Sequence, residues 1–177
     1  LQTEMDYQVC LAVRAYLNNQ QALEQRPFYW RSRMALAESA FNLQRYDESA
    51  RLLQEAVASI PTSWPVRARL GEVYVKTGRP GLALEHLEES LAVTKDRGLS
   101  VPALVYLGRA YRDLGKPEQA VQPLERSLKL EPLGAYTHQT HLVLIEVYEA
   151  LGRLEPAQNH RERLVEIYIT DGQPQAA

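Results

Sequence analysis

One unit of sequence recurs along this chain at fixed spacing, and no other feature constrains its fold as much. In the stretch from Val101 to Pro132, Leu107 and Gly108 are followed by Tyr111, then by Gly115, Ala120, Leu124 and Pro132. Thirty-seven residues earlier stand Leu70, Gly71, Tyr74, Gly78 and Ala83, and thirty-seven later stand Leu144, Tyr148, Gly152 and Ala157. A further copy lies upstream at a spacing of 34, where Pro27 and Trp30 recur as Pro61 and Trp64, and Leu36, Tyr46, Leu53 and Ala56 fill apolar slots. Repetition at such a period signals stacked supersecondary units, each burying one face against its neighbours.

The residue types say what each unit is. Leucine and tyrosine four apart, as in Leu70/Tyr74 and Leu107/Tyr111, make one apolar stripe on a helix. Ala37, Gly71 and Gly108, one residue after the leucine, leave room for a second helix to approach closely. Gly78, Gly115 and Gly152 fall just past the first helix, where a residue without Cβ takes the left-handed conformation cheaply. Pro80 and Pro117 then suit the first turn of a second helix, Pro65 and Pro102 that of a first helix. Pro61 and Pro132 stop second helices.

This order, Leu107-Gly108-x2-Tyr111, then Ala120-x3-Leu124, then Pro132, resembles the tetratricopeptide (TPR) pattern, a helix–turn–helix of about 34 residues. The resemblance implies an all-α fold, an α-solenoid of about four TPR repeats at residues 30–63, 64–100, 101–137 and 138–171. Residues 1–29 are expected to form an N-terminal capping helix or a degenerate half-repeat, one long or kinked helix from Glu4 to about Gln25 that buries Val9, Leu11, Val13, Tyr16 and Leu17, with Ala15, Ala22 and Leu23 in second-helix slots. Two junctions carry three extra residues, Asp96-Arg97-Gly98 and Leu133-Gly134-Ala135, expected to lengthen the links and leave the stacking intact. Residues 172–177 read as a disordered tail. The chain departs from the pattern at the slot usually held by tryptophan, which carries Arg33, Arg67, Leu104 and His141; Trp30 and Trp64 are expected to fill part of that gap. Pro123 lies inside a second helix, and Arg161 stands where the other copies place a large apolar residue.

In TPR arrays the first helices line a concave groove. Carried over by that resemblance, the inward slots are Arg31, Met34, Ala35, Glu38, Phe41 and Asn42 in the first copy, and Pro65, Ala68, Arg69, Glu72, Val75 and Lys76 in the second. The third offers Pro102, Val105, Tyr106, Arg109, Arg112 and Asp113, and the fourth Gln139, Leu142, Val143, Glu146, Glu149 and Ala150. The expected peptide-binding groove is therefore Arg31, Met34, Glu38, Asn42, Arg69, Glu72, Lys76, Tyr106, Arg109, Arg112, Asp113 and Glu146. Arg69, Lys76, Arg109 and Arg112 make a basic centre, with Glu146 and Glu149 as an acidic end. Arginine holds a carboxylate bidentately, so an extended peptide with a central acidic residue suits the groove. The alternative is a self-compensating face, with Glu38, Glu72 and Asp113 paired to those arginines. At the positions where chaperone-binding relatives hold a terminal carboxylate, this chain has Met34, Glu38, Arg69, Pro102 and Tyr106; only Arg69 fits, which argues against a carboxylate clamp.

Nothing points to catalysis or to a bound cofactor. There is no phosphate loop, dinucleotide fingerprint, GxSxG or HExxH motif. His138 and His141 share a helix face but lack supporting ligands, and His86 and His160 sit among charged residues; all four are expected at the surface and no metal is expected. The single cysteine, Cys10, between Val9 and Leu11, reads as a buried structural thiol and excludes an internal disulfide; it fits a reducing compartment, the cytoplasm being favoured, without requiring one. A net charge of −2 gives nucleic acid no electrostatic footprint, and no apolar run is long enough to insert in a membrane. The last helix is too apolar for a solenoid end: either the tail folds back over it, the array continues, or the chain forms a homo-oligomer through Leu164, Ile167 and Tyr168. The expected function is a non-catalytic protein–protein interaction scaffold binding a peptide segment or partner protein. The alternatives are an accessory domain of a larger enzyme or regulator, and a self-assembling structural protein.

Overall fold

A computed structural model describes residues 2–94 and 100–170, with side chains from residue 9 onward. Nine helices and no strand occur among the described residues. They are α1 (Gln2–Gln25), α2 (Trp30–Asn42), α3 (Tyr46–Ser59), α4 (Trp64–Lys76), α5 (Pro80–Val93), α6 (Val101–Asp113), α7 (Pro117–Leu130), α8 (Thr137–Ala150) and α9 (Leu154–Thr170). The pairs α2–α3, α4–α5, α6–α7 and α8–α9 pack as helix hairpins, and each first helix also packs on the second helix of the preceding pair. The result is the α-solenoid that the repeat pattern implies.

Within each hairpin, the sequence sets how closely the helices meet. A Cβ added at Gly71 would stand 2.4 Å from Leu87 Cγ, and one at Gly108 2.4 Å from Leu124 Cγ, distances no real Cβ tolerates. Leu53, Leu87 and Leu124, which hold one position in successive second helices, are all fully buried. The turns are as regular. Gly78, Gly115 and Gly152 have φ of 69°, 68° and 69°, and Gln44 occupies the same place in the first hairpin with φ 60°. In each turn the next amide reaches back to the first helix, Arg45 to the Ala40 carbonyl, Arg79 to Tyr74, Lys116 to Tyr111 and Arg153 to Tyr148, at 2.8–2.9 Å. These bonds satisfy carbonyls that the helix end leaves orphaned.

A second regularity joins one hairpin to the next. Tyr111 on α6 donates its hydroxyl to Glu88 on α5 (2.7 Å), and Tyr148 on α8 donates to Glu125 on α7 (3.0 Å). In the first junction Gln54 on α3 donates its amide to the Tyr74 hydroxyl on α4 (2.6 Å). In three repeats the slot that lacks tryptophan is filled by polar pairs within a hairpin, Arg33 with Glu55 at 3.3 Å, Arg67 with Glu89 and with His86 at 3.2 Å, and His141 with His160 at 2.9 Å, and in the third repeat by the buried Leu104.

The sequence expectations for α1 need correction. Of its proposed core, only Tyr16 is buried, at 9% exposure, while Val9, Leu11, Val13 and Leu17 are 41–56% exposed. An end helix has one main neighbour, α2, so it buries one narrow stripe, Ala12, Tyr16, Asn19 and Leu23. Tyr16 donates to Glu48 (2.6 Å), and Asn19 donates to Ser39 Oγ (2.8 Å) and the Ala35 carbonyl (3.2 Å). Cys10 lies off the stripe and is exposed rather than buried. The link at 131–136 also does more than lengthen the chain. Gly134 N–H donates to Thr137 Oγ1, which donates to the Glu131 carbonyl, and Tyr136 packs onto the core of the first three repeats. The junction expectation at Asp96-Arg97-Gly98 and the tail expectation at 172–177 lie outside the described residues.

Gln44 carries the cost of a left-handed backbone that glycine avoids in the other three turns. Gln44→Gly should therefore raise unfolding stability by about 0.5–1 kcal/mol, and Gly115→Gln should lower it by about 1–2 kcal/mol, in urea denaturation. A null or opposite result for both would remove the turn conformation as a determinant of stability.

Candidate functional site

The first helices α2, α4 and α6, together with the 131–136 link, border an open trough of about 460 Å³. Its walls include Met34 and Glu38 from α2, Trp64, Pro65, Arg69 and Glu72 from α4, Pro102 from α6, and Glu131 and Tyr136 from the link. At its base Glu72, 6% exposed, accepts from Arg69 Nη1 (2.6 Å) and from the Tyr106 hydroxyl (2.7 Å), with Lys76 Nζ at 3.7 Å. Arg69 also faces Glu38 at 3.5 Å. A carboxylate this buried costs several kcal/mol unless charge and hydrogen bonds compensate it, and here two cations and a hydroxyl do so. Burial opposes the charge on Arg69, yet Glu72 and Glu38 outweigh it and hold the guanidinium above its ordinary range. Burial, with Glu72 beside it, pushes the Tyr106 hydroxyl far above the usual tyrosine range, so it stays a donor.

Aromatic rings complete the surface. Phe41 lies under Arg69 (5.3 Å) and Lys76 (4.5 Å). Tyr106 meets Tyr136 edge to face at 6.3 Å and carries Arg109 over its ring at 5.3 Å. Arg109 differs from the other cations: its Nε is buried with no hydrogen-bond partner, and among the described residues no carboxylate pairs with it.

The sequence-derived groove residues thus fall into three groups. Met34, Glu38, Arg69, Glu72, Lys76, Tyr106 and Arg109 converge on the centre through the contacts just given. Arg112, Asp113 and Glu146 form a separate cluster bridging α6 and α8, with Arg112 at 2.7 Å from Asp113 and 2.6 Å from Glu146. Arg31 turns onto the Trp30 ring (5.2 Å), and Asn42 is the exposed last residue of α2. Glu131 and Tyr136 were not foreseen. An aromatic residue closing a three-residue insertion is the signal that marks them, because an insertion has to pack somewhere.

The histidines are also placed differently from the surface positions expected. His141 is buried, and it faces His160 Nδ1 to Nδ1 at 2.9 Å; His160 Nε2 is 3.1 Å from Glu125. With Glu125 accepting from His160 Nε2–H, the His160 Nδ1 is the acceptor and His141 Nδ1–H the donor. His138 meets the Tyr168 hydroxyl, and His86 stacks on Tyr74 at 5.8 Å. Among the described residues no three His, Cys, Asp or Glu side chains are arranged to hold a metal ion. The residues named for self-association are also largely used internally: Leu164 is buried, and Ile167 and Tyr168 are half-buried. The large apolar side chains that α9 leaves exposed are Leu154 at its start and Val165 and Ile169 in its second half. No described helix is long and apolar enough to cross a membrane.

Stacked helix hairpins with an open, aromatic and charged trough define an α-helical repeat scaffold. Two tetratricopeptide-repeat family profiles match the chain, over residues 12–63 and 65–130, together about two thirds of it. The chain belongs to the tetratricopeptide-repeat family, whose arrays are protein-interaction scaffolds. Among solved structures it resembles "MamA 41-end from Desulfovibrio magneticus RS-1", with a TM-score of 0.79 and 18% identity over 96% of this chain and 93% of that one. It likewise resembles "MamA MSR-1 C2", with a TM-score of 0.75 and 21% identity over 92% of this chain and 90% of that one. At these identities the likeness is one of fold. No curated protein matches the chain by sequence.

The buried His141 generates a pH dependence. Burial, reinforced by His160 and Arg163, lowers its value from 6.5 to about 4. Between those values the unfolded chain takes up a proton that the folded chain refuses, so stability is full above 6.5 and falls as pH drops towards 4. Denaturant unfolding should show about 1–2 kcal/mol less stability at pH 5 than at pH 7.5, allowing for screening and relaxation. His141→Leu, which copies Leu104 in the preceding repeat, should flatten that slope; an unchanged slope would assign it to other groups.

Proposed function

We propose that this chain is a non-catalytic scaffold that holds an extended peptide segment of another protein along the trough bordered by α2, α4 and α6. One acidic side chain of that peptide pairs with Arg109. The observation that carries this reading is the contrast among the cations. Arg69 and Lys76 are committed to Glu72, and Arg112 to Asp113 and Glu146. Arg109 keeps a buried donor without a partner on a ring platform. A partly buried guanidinium held over an aromatic ring is already placed, so less side-chain entropy remains to be lost on binding. Met34, Trp64, Pro65 and Tyr136 offer the apolar and aromatic contact that anchors the flanking residues of such a peptide.

The self-compensating alternative is accommodated in part: most of the positive charge in this groove is spent on the protein's own carboxylates. Display selection of random peptides on the intact chain tests the reading. Selected peptides should carry an aspartate or glutamate in a common register, and Arg109→Ala should weaken them about tenfold, whereas Arg31→Ala should change binding less than twofold. Selected peptides without a shared acid, or equal binding to Arg109→Ala, would reject it.

A further inference from the structure

The tyrosine bonds between hairpins recur in register. Gln54, Glu88 and Glu125 occupy one slot of the second helices α3, α5 and α7, spaced 34 and 37 residues apart, and each meets the tyrosine of the next first helix. Another 37 residues on stands Glu162, in α9. It accepts a bond from Gln158, one turn back on its own helix, and among the described residues no tyrosine reaches it. Beside it α8 and α9 leave an apolar hollow of about 490 Å³, bordered by Leu142, Ile145, Arg161, Val165 and Tyr168. The counterpart of Leu142 one repeat earlier, Val105, is fully buried, whereas Leu142 is 44% exposed. The counterpart of Val165, Leu128, packs into the core with Val143, Leu144 and Val147 of α8, whereas Val165 is 37% exposed.

We propose that this end face is a docking site for an amphipathic helix of another protein, one carrying a tyrosine that donates its hydroxyl to Glu162. The three covered copies of the same face define the helix required. Counting back from the tyrosine, α4, α6 and α8 present Val, Ala or Val at −1, Leu at −4, and Val, Ala or Thr at −8. Those positions are Val73, Leu70 and Val66 on α4, Ala110, Leu107 and Ala103 on α6, and Val147, Leu144 and Thr140 on α8, all buried. A spacing of 1, 4 and 8 is one face of an α-helix, and it drops the tyrosine beside the acceptor. Among the described residues all three copies of that pattern are buried within the array, so the helix that fits this face is supplied from outside them.

This site is independent of the concave trough, so failure of one leaves the other standing. The probe is a fluorescein-labelled, hydrocarbon-stapled peptide with the sequence of residues 137–150, which carries the pattern at Thr140, Leu144, Val147 and Tyr148. Titrated with the intact chain, its anisotropy should saturate. Replacing the peptide tyrosine by phenylalanine should weaken binding about tenfold, as should Glu162→Leu in the protein. Glu162→Gln should stay within about threefold, because at the first junction the Gln54 amide also bonds the tyrosine hydroxyl, there as its donor. Val165→Asp, at an exposed position and checked by its unfolding curve, should abolish saturation. Absence of saturable binding, or tyrosine-free peptide and Glu162→Leu protein binding as tightly as their parents, would overturn the proposal. A concentration-dependent dimer that Val165→Asp disperses would also overturn it, by making a second copy the occupant.

Discussion

Everything in this array depends on how closely the two helices of a hairpin meet. Leu87 on Gly71 and Leu124 on Gly108 set that separation, and Ala37 and Leu53, both fully buried, hold the same two positions in the first hairpin. Burying a leucine fully contributes about 2–3 kcal/mol, and the missing Cβ lets the leucine reach the neighbouring backbone. Hairpins of equal thickness then stack with one face in common, which is why the first helices form a trough and the tyrosine bonds fall in register. The last hairpin breaks the rule from both sides: Ile145 replaces the small residue and Arg161 the leucine. Both side chains border the open hollow at that end.

The trough shows how little of a groove's formal charge is available to a ligand. Sequence alone puts four cations on this face, but burial of Glu72 commits two of them, and the Arg112 cluster commits a third. Each pairing is favourable because the alternative is a desolvated charge without compensation. The same economy governs the tryptophan slot, where the arginine of one helix meets a glutamate of its partner. Polar groups in this protein join elements first, and only what remains unpaired is offered outward.

Much of the fold was legible because its determinants are local and repeated. A glycine with φ near 69° after the first helix, or a glycine beneath a leucine, leaves its mark at one sequence position and again 37 residues later. What escaped reading depends on which neighbours exist. The apolar residues of α1 span more than one face, yet only the stripe through Tyr16 has a helix to meet. His141 and His160 look like surface residues among charges, but they are nineteen residues apart on facing helices, and spacing gives no hint of that pairing. Tyr136 belongs to an insertion, which by definition has no counterpart in the other repeats to show where it packs. Within the site, the inward positions followed from family resemblance, while the division into paired and unpaired cations required distances.

The spacing of the helices in a hairpin stands or falls on the contact between small residue and leucine. A double-mutant cycle combining Gly108→Ala with Leu124→Ala, read by urea unfolding, tests it most directly. Gly108→Ala should destabilise the parent by about 1–3 kcal/mol despite alanine's better helix propensity, because the new Cβ overlaps Leu124. In the Leu124→Ala background the same change should be neutral or stabilising, giving a coupling of about 1–3 kcal/mol. Additive effects within about 0.5 kcal/mol would contradict the account, since the two helices would then not be meeting at that point.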